Sequence, residues 1–182
     1  DKTQFSIDDP NSIWVVADKL RPLTPADWEP PERGEVPVNY VNQPFLRQAA
    51  SDAVVQMFAA FTAETGLAMA SQSAYRSYGS QESVYSGWVS SLGQEAADLT
   101  SARPGYSEHQ TGLSIDISAD PANCSLDQCF ADTDQGIWLA ANAWLRRPEY
   151  LLQPTAMFFG ATYADVAARM PAALLLVGVC VV

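Results

Sequence analysis

Between residues 44 and 65 apolar side chains recur at three- and four-residue steps: Phe45, Ala49, Ala53, Met57, Ala60 and Phe61. Gly66 follows, so the pattern predicts an amphipathic helix with a glycine stop. The next stretch, LAMASQSAYRS, alternates weakly, as a half-buried strand does. A second helix is predicted from about Ser80 to Leu99, with Val84, Trp88 and Leu92 on one stripe and Tyr85 and Val89 beside it. GLSIDIS is the clearest strand: Leu113, Ile115 and Ile117 face one way, Ser114, Asp116 and Ser118 the other. A third helix is predicted from about Asp134 to Trp144, capped by Thr133 or Asp132. Helices and short strands that do not alternate regularly indicate an α+β domain with a small antiparallel sheet.

The flanks differ from this middle. Residues 1–44 read as an arm, with one strand-like run, Ile13 to Val16, and then a proline-rich stretch. Trp14 and Trp28 are expected to pin the arm onto a domain spanning 45–182, because large aromatics gain much from burial. From about residue 145 the domain turns atypical. A helix is possible from Tyr163 to Met170, and the eleven residues from Ala172 to Val182 are apolar apart from one Gly. That tail is too short to span a bilayer.

Composition narrows the function classes. A chain of 182 residues, 48% hydrophobic and 17% charged, has the make-up of a soluble globular protein, and no transmembrane span is expected. The net charge is −11 and the ten Lys and Arg residues form no basic run, which argues against nucleic acid or an anionic membrane as partner. An anionic substrate must therefore be gripped by individual residues. Cys124 and Cys129 bracket the loop CSLDQC. The first reading is a small-loop disulfide and an exported protein; reduced thiols and a thiolate metal pair stay open as alternatives. The sequence opens DKTQ, with no charged-then-apolar leader, and an export signal or anchor already removed would fit that start.

The candidate chemistry lies in SARPGYSEHQTGLSIDIS, residues 101–118, which holds the single histidine of the chain. His109 precedes Asp116 by seven residues. On a helix that step would put both on one face, but Gly112 and the Ile-Asp-Ile alternation argue for a strand. In a strand the same step sets them on opposite faces. A turn at Thr111-Gly112 removes the parity and lets the imidazole fold back over the carboxylate. An imidazole nitrogen and a carboxylate oxygen suit Zn²⁺. The plainer reading of His109 is a hydrogen-bonded structural imidazole.

Ser107-x-His109-x-x-Gly112-x-x-x-Asp116 resembles the signature of the VanY-type D-alanyl-D-alanine carboxypeptidases, zinc peptidases that trim peptidoglycan stems. SAYRSYGSQESVY is similar to that family's Tyr-Arg-Ser segment with its downstream Gln. CSLDQCFADTDQGIWLAANAW resembles the segment that follows, cysteine pair included, and the arm WVVADKLRPL also fits, so that the resemblance covers residues 11–144. It implies the zinc D,D-carboxypeptidase (Hedgehog-like) fold, with His109 and Asp116 as zinc ligands. Arg76 would hold the carboxylate of the terminal D-residue, with Ser107 and Gln81 completing the grip. A planar guanidinium fork suits such a carboxylate. Glu108 is a weaker candidate for a catalytic base, because its neighbour's role as a ligand would point it away; the plainer alternatives are a surface ion pair for Arg76, a turn cap for Ser107, an exposed first-turn residue for Gln81 and a solvated carboxylate for Glu108.

The chain departs from the pattern at its C-terminal end. The family's third ligand is a histidine in a Glu-Pro-Trp-His block whose Glu is the general base, and this chain has neither the block nor a second histidine. A loose alignment sets GATY, residues 160–163, in its place, which would bring Tyr163 to the lost ligand's position. A phenol with a pKa near 10 is a poor zinc ligand at neutral pH. Glu149 and Asp165 are the substitutes for the base, and no spacing supports either.

The resemblance thus implies a zinc-dependent D-alanyl-D-alanine carboxypeptidase acting on peptidoglycan stem peptides that end in D-alanine. It would be a monomer, extracellular or periplasmic, at the cell envelope. The alternative is a catalytically inactive relic that binds cell-wall peptides without the third ligand and the base.

Overall fold

A computed structural model describes residues 6–143. The predictions made for residues 144–182, including Tyr163, Glu149 and Asp165, lie outside the described residues.

The first helix, α1, spans Gln48–Thr65 and ends as the sequence predicts. Gly66 adopts a left-handed φ of 73° and its N–H closes onto Thr62 O at 2.9 Å. The helix starts later than its apolar pattern, because Phe45–Leu46 instead forms β2, paired antiparallel with β1, Gly34–Glu35, from the arm. Its inner face carries Ala50, Val54, Met57, Phe58 and Phe61. These pack in one cluster with Met69, Ile115, Ile117, Phe130, Trp138 and Leu139. Phe61 meets Trp138 edge to face, with ring centroids 5.3 Å apart, and each such fully buried side chain contributes about 1.5–3 kcal/mol.

The second sheet is the one that carries chemistry. β3, Ala68–Ser73, pairs antiparallel with β4, Asp116–Asp120. The predicted strand at 112–118 thus begins four residues late: Leu113 and Ile115 are buried but serve as the approach to the sheet. The arm lies against β3, with Val41 N–H donating to Ser71 O and Ser71 N–H to Asn39 O, both at 2.8 Å. Val15, Ala17, Leu23 and Val36 of the arm are buried in the core, and Trp28 packs against it half-buried. The strand-like run at Ile13 to Val16 forms no strand.

The helix predicted from Ser80 to Leu99 is two helices. Gly93, with φ 81°, ends α2, Tyr78–Leu92, and starts α3, Gln94–Thr100. The stripe of Val84, Trp88 and Leu92 is exposed. Periodicity located that face, and no described element packs over it deeply enough to bury it. α4, Asp134–Asn142, is capped by Thr133, whose hydroxyl accepts from Gly136 N–H. Gly136 sits so close to the preceding 3-10 turn, Gln128–Asp132, that a Cβ would lie 2.0 Å from Phe130 O. Cys124 and Cys129 are joined as a disulfide with Cα atoms 5.5 Å apart. Among the described residues no helix is long and apolar enough to cross a membrane.

Candidate active site

A 3-10 turn, Glu108–Thr111, carries the imidazole, and Gly112 ends it with a left-handed φ of 69°. A Cβ at Gly112 would stand 3.2 Å from side-chain atoms of both Arg47 and Pro30, so conformation and space both call for glycine. The chain then reverses into β4. This is the turn that the seven-residue step needs, and it brings His109 and Asp116 together: Nε2 lies 3.4 Å from Asp116 Oδ2. Both residues are buried, at 7% and 4% exposure.

Their protons are placed by the neighbours. His109 Nδ1 lies 2.6 Å from Ala74 O. A carbonyl only accepts, so Nδ1 carries a hydrogen and Nε2 of the neutral ring is an acceptor. It faces a carboxylate, also an acceptor. Asp116 Oδ2 accepts from the Ser73 hydroxyl, while Oδ1 is buried and has no hydrogen-bond partner among the described residues. Two buried acceptors set against each other are unfavourable unless a cation lies between them. A second ring proton is one such cation, but charge-assisted N–H···O bonds close to about 2.7–2.9 Å, well inside the separation found. A metal ion answers the same arrangement without that closure. The donor pair fits a divalent cation in kind and in placement. Among the described residues no group of three or more His, Cys, Asp or Glu side chains is placed to hold a metal.

The other predicted residues surround the pair. Arg76 is half-buried, and its backbone N–H donates to His109 O at 3.2 Å. Its Nη1 donates to Gln81 Oε1 at 3.0 Å. Gln81 is not the exposed first-turn residue of the plainer reading: it is 1% exposed, and its amide donates to Ser101 Oγ at 3.0 Å and Ala102 O at 2.7 Å. With both ends of that amide engaged, Gln81 stands behind Arg76. Ser107 is 4% exposed and its side chain caps nothing in the 3-10 turn. Glu108 is half-buried, and burial pushes its carboxyl up to about 7, partly offset by the neighbouring His109. It is therefore not a freely solvated carboxylate.

Three contributors had no signal in the sequence pattern. Ser73 and the Ala74 carbonyl touch the pair directly. Arg47 fixes the turn from outside. Its N–H donates to Gly112 O at 2.9 Å, while its guanidinium holds Ser12 O at 3.1 Å and Asn11 O at 2.5 Å.

A family profile, VanY, D-alanyl-D-alanine carboxypeptidase, matches residues 43–146. The chain belongs to this family. The VanY match spans both donors, Arg76 and the cysteine pair; the part of the arm before residue 43 lies beyond it. The chain is 34% identical over 144 residues to YodJ of Bacillus subtilis (strain 168), a candidate carboxypeptidase by name, covering 76% of this chain and 52% of YodJ. It therefore spans about half the length of that curated relative. Among solved structures it is similar to LdcB, an LD-carboxypeptidase whose structure is described as revealing the molecular basis of peptidoglycan recognition. The TM-score is 0.68 at 33% identity, over 75% of this chain and 65% of LdcB. A vancomycin-resistance D,D-pentapeptidase VanY in complex with Zn(II) shares the fold, with TM-score 0.54 at 21% identity over 73% of this chain and 72% of that one. The VanY-type α+β fold expected from the sequence is thus the one observed.

Proposed function

We propose that the protein is a zinc-dependent D-alanyl-D-alanine carboxypeptidase that trims peptidoglycan stem peptides at the cell envelope. One observation carries the reading: the facing acceptors of His109 and Asp116, with Nδ1 committed to Ala74 and Asp116 Oδ1 without a hydrogen-bond partner among the described residues. VanY membership and the Zn(II) held by a protein of the same fold support it. His109 and Asp116 would hold the zinc, which when bound would supply a Lewis acid for the scissile carbonyl and lower the pKa of a water.

The remaining residues bind and orient. Arg76 takes the terminal carboxylate of the peptide, because a guanidinium offers two parallel donors to it. Gln81 fixes the plane of that guanidinium from behind, and this is its share in the grip. Ser107, buried beside His109 with a hydroxyl not used as a cap, supplies a further donor. No described residue is assigned as general base. An exported, envelope location follows from the substrate class, and the Cys124–Cys129 disulfide supports it.

The relatives divide over which bond is cut: the family profile is named for D,D cleavage and LdcB as an LD-carboxypeptidase. The likeness to LdcB supports L,D cleavage as a second reading of the same site. The test incubates the full chain with a stem pentapeptide ending D-Ala-D-Ala and, separately, with the tetrapeptide ending L-Lys-D-Ala. Release of D-alanine from the pentapeptide, abolished by chelator and restored by zinc, is expected. Release from the tetrapeptide alone transfers the proposal to L,D cleavage. Stoichiometric peptide binding with no release from either overturns it.

A further inference from the structure

β3 and β4 do not pair evenly. Ser71 stands opposite Ile117, yet the next pair is Ser73 with Asp116, so two steps on β3 match one on β4. Gln72 is the extra residue of a β-bulge. An even register would set Gln72 opposite Asp116 and turn Ser73 toward the core beside Ile115. The bulge moves Ser73 to the face that Asp116 occupies, where its hydroxyl donates to Oδ2.

This bond changes what the carboxylate can do. A buried carboxylate with two free oxygens can swing about its last torsion and present either one. With Oδ2, the oxygen that faces His109 Nε2, held by Ser73, the orientation of the carboxylate is fixed; Oδ1 has no hydrogen-bond partner among the described residues. The next residue completes the arrangement, since Ala74 O holds the ring of His109 through Nδ1. Two adjacent residues of one strand end thus fix the directions of both donors.

We propose that Ser73 is a positioning residue for the metal, holding Asp116 through Oδ2 so that the carboxylate keeps its orientation toward His109 Nε2; this rests on the zinc reading above. Partners of ligating carboxylates typically govern metal affinity by about 10–100-fold. The hydroxyl is the active feature, and the volume of Ser73 is secondary.

The test measures zinc affinity of the full chain by competition with a chromophoric chelator, for wild type, Ser73→Ala and Ser73→Thr. Circular dichroism in excess chelator verifies that each folds cooperatively without metal. Ser73→Ala is expected to weaken zinc binding by about 10–100-fold. Ser73→Thr, which keeps a hydroxyl, is expected to stay within about threefold of wild type, and should Ser73→Ala fail to fold, weak binding by Ser73→Thr alone overturns the role. Wild-type affinity in Ser73→Ala overturns it too, leaving the zinc site standing. A wild type that binds no zinc overturns the zinc reading itself, and the role of Ser73 with it.

Discussion

The sheet half of the molecule and the α2–α3 half are built on opposite plans. In the first, four consecutive residues are each tied down. Ser73 donates to Asp116, Ala74 accepts from His109, Tyr75 N–H reaches Phe45 O at 3.1 Å, and Arg76 N–H reaches His109 O. Their surroundings are buried, and the Arg33 guanidinium lies 4.3 Å from the Tyr75 ring centroid. In the second half, Gln81 and Ala97 are the only buried residues of the two helices. A surface network joins them instead: Tyr85 Oη donates to Asp98 at 2.7 Å, Arg103 grips the same carboxylate with two bonds of 2.8 Å, and Lys19 Nζ caps the carbonyls of Asp98 and Leu99. Side chains that must hold a fixed geometry sit where packing over-determines them. The α2–α3 layer enters the site through one thread, Gln81 to Arg76.

The contrast can be broken most forcefully from the core beneath the sheet. Phe61→Ala, at 0% exposure and against Trp138, is expected to cost about 3–5 kcal/mol by chemical denaturation. A cost near zero would mean that this core does not support the site. Next comes the turn. Gly112→Ala forces a left-handed φ on an alanine and presses on Arg47 and Pro30, for an expected loss of about 1–3 kcal/mol. Zinc uptake should fall with it, because the turn sets His109 over Asp116.

Effects in the helical half should be smaller. Arg103 and then Tyr85 hold the Asp98 carboxyl well below the usual carboxylate range. Its folded pKa is depressed, so the contribution to stability is present above the unfolded value of 3.8 and fades as pH falls through the folded one. Asp98→Asn should therefore lower the thermal midpoint slightly at pH 7, by less in high salt, and the difference from wild type should shrink steadily below pH 3.8. A difference that persists unchanged in acid would deny the charge its role. Smallest of all, Trp88→Ser on the open stripe of α2 should change stability by no more than about 0.5 kcal/mol. A loss of several kcal/mol would show that this stripe is covered in solution.

Element types were legible wherever periodicity and punctuation agreed. α1 with its Gly66 stop, α4 with its Thr133 cap, and the approach of His109 to Asp116 through a Thr-Gly turn all followed from residue order. Boundaries failed where a tertiary partner outweighed the local pattern, as at Phe45, drawn into β2 by the arm, or at Gly93, which splits the second helix. Ser73 was hidden for a physical reason: its facing depends on a bulge, and a bulge breaks the two-residue period by which a strand is read. Gln81 reads in the sequence as a polar residue near the site, but its bond to Arg76 shows only in the structure, where both ends of its amide are engaged.

Elemental analysis of bound metal after exhaustive dialysis, on wild type and His109→Ala in parallel, tests the central claim most directly. The paired acceptors predict about one zinc per wild-type chain and none in the variant. Zinc absent from both, or retained equally by both, would contradict the assignment of His109 and Asp116 as its ligands.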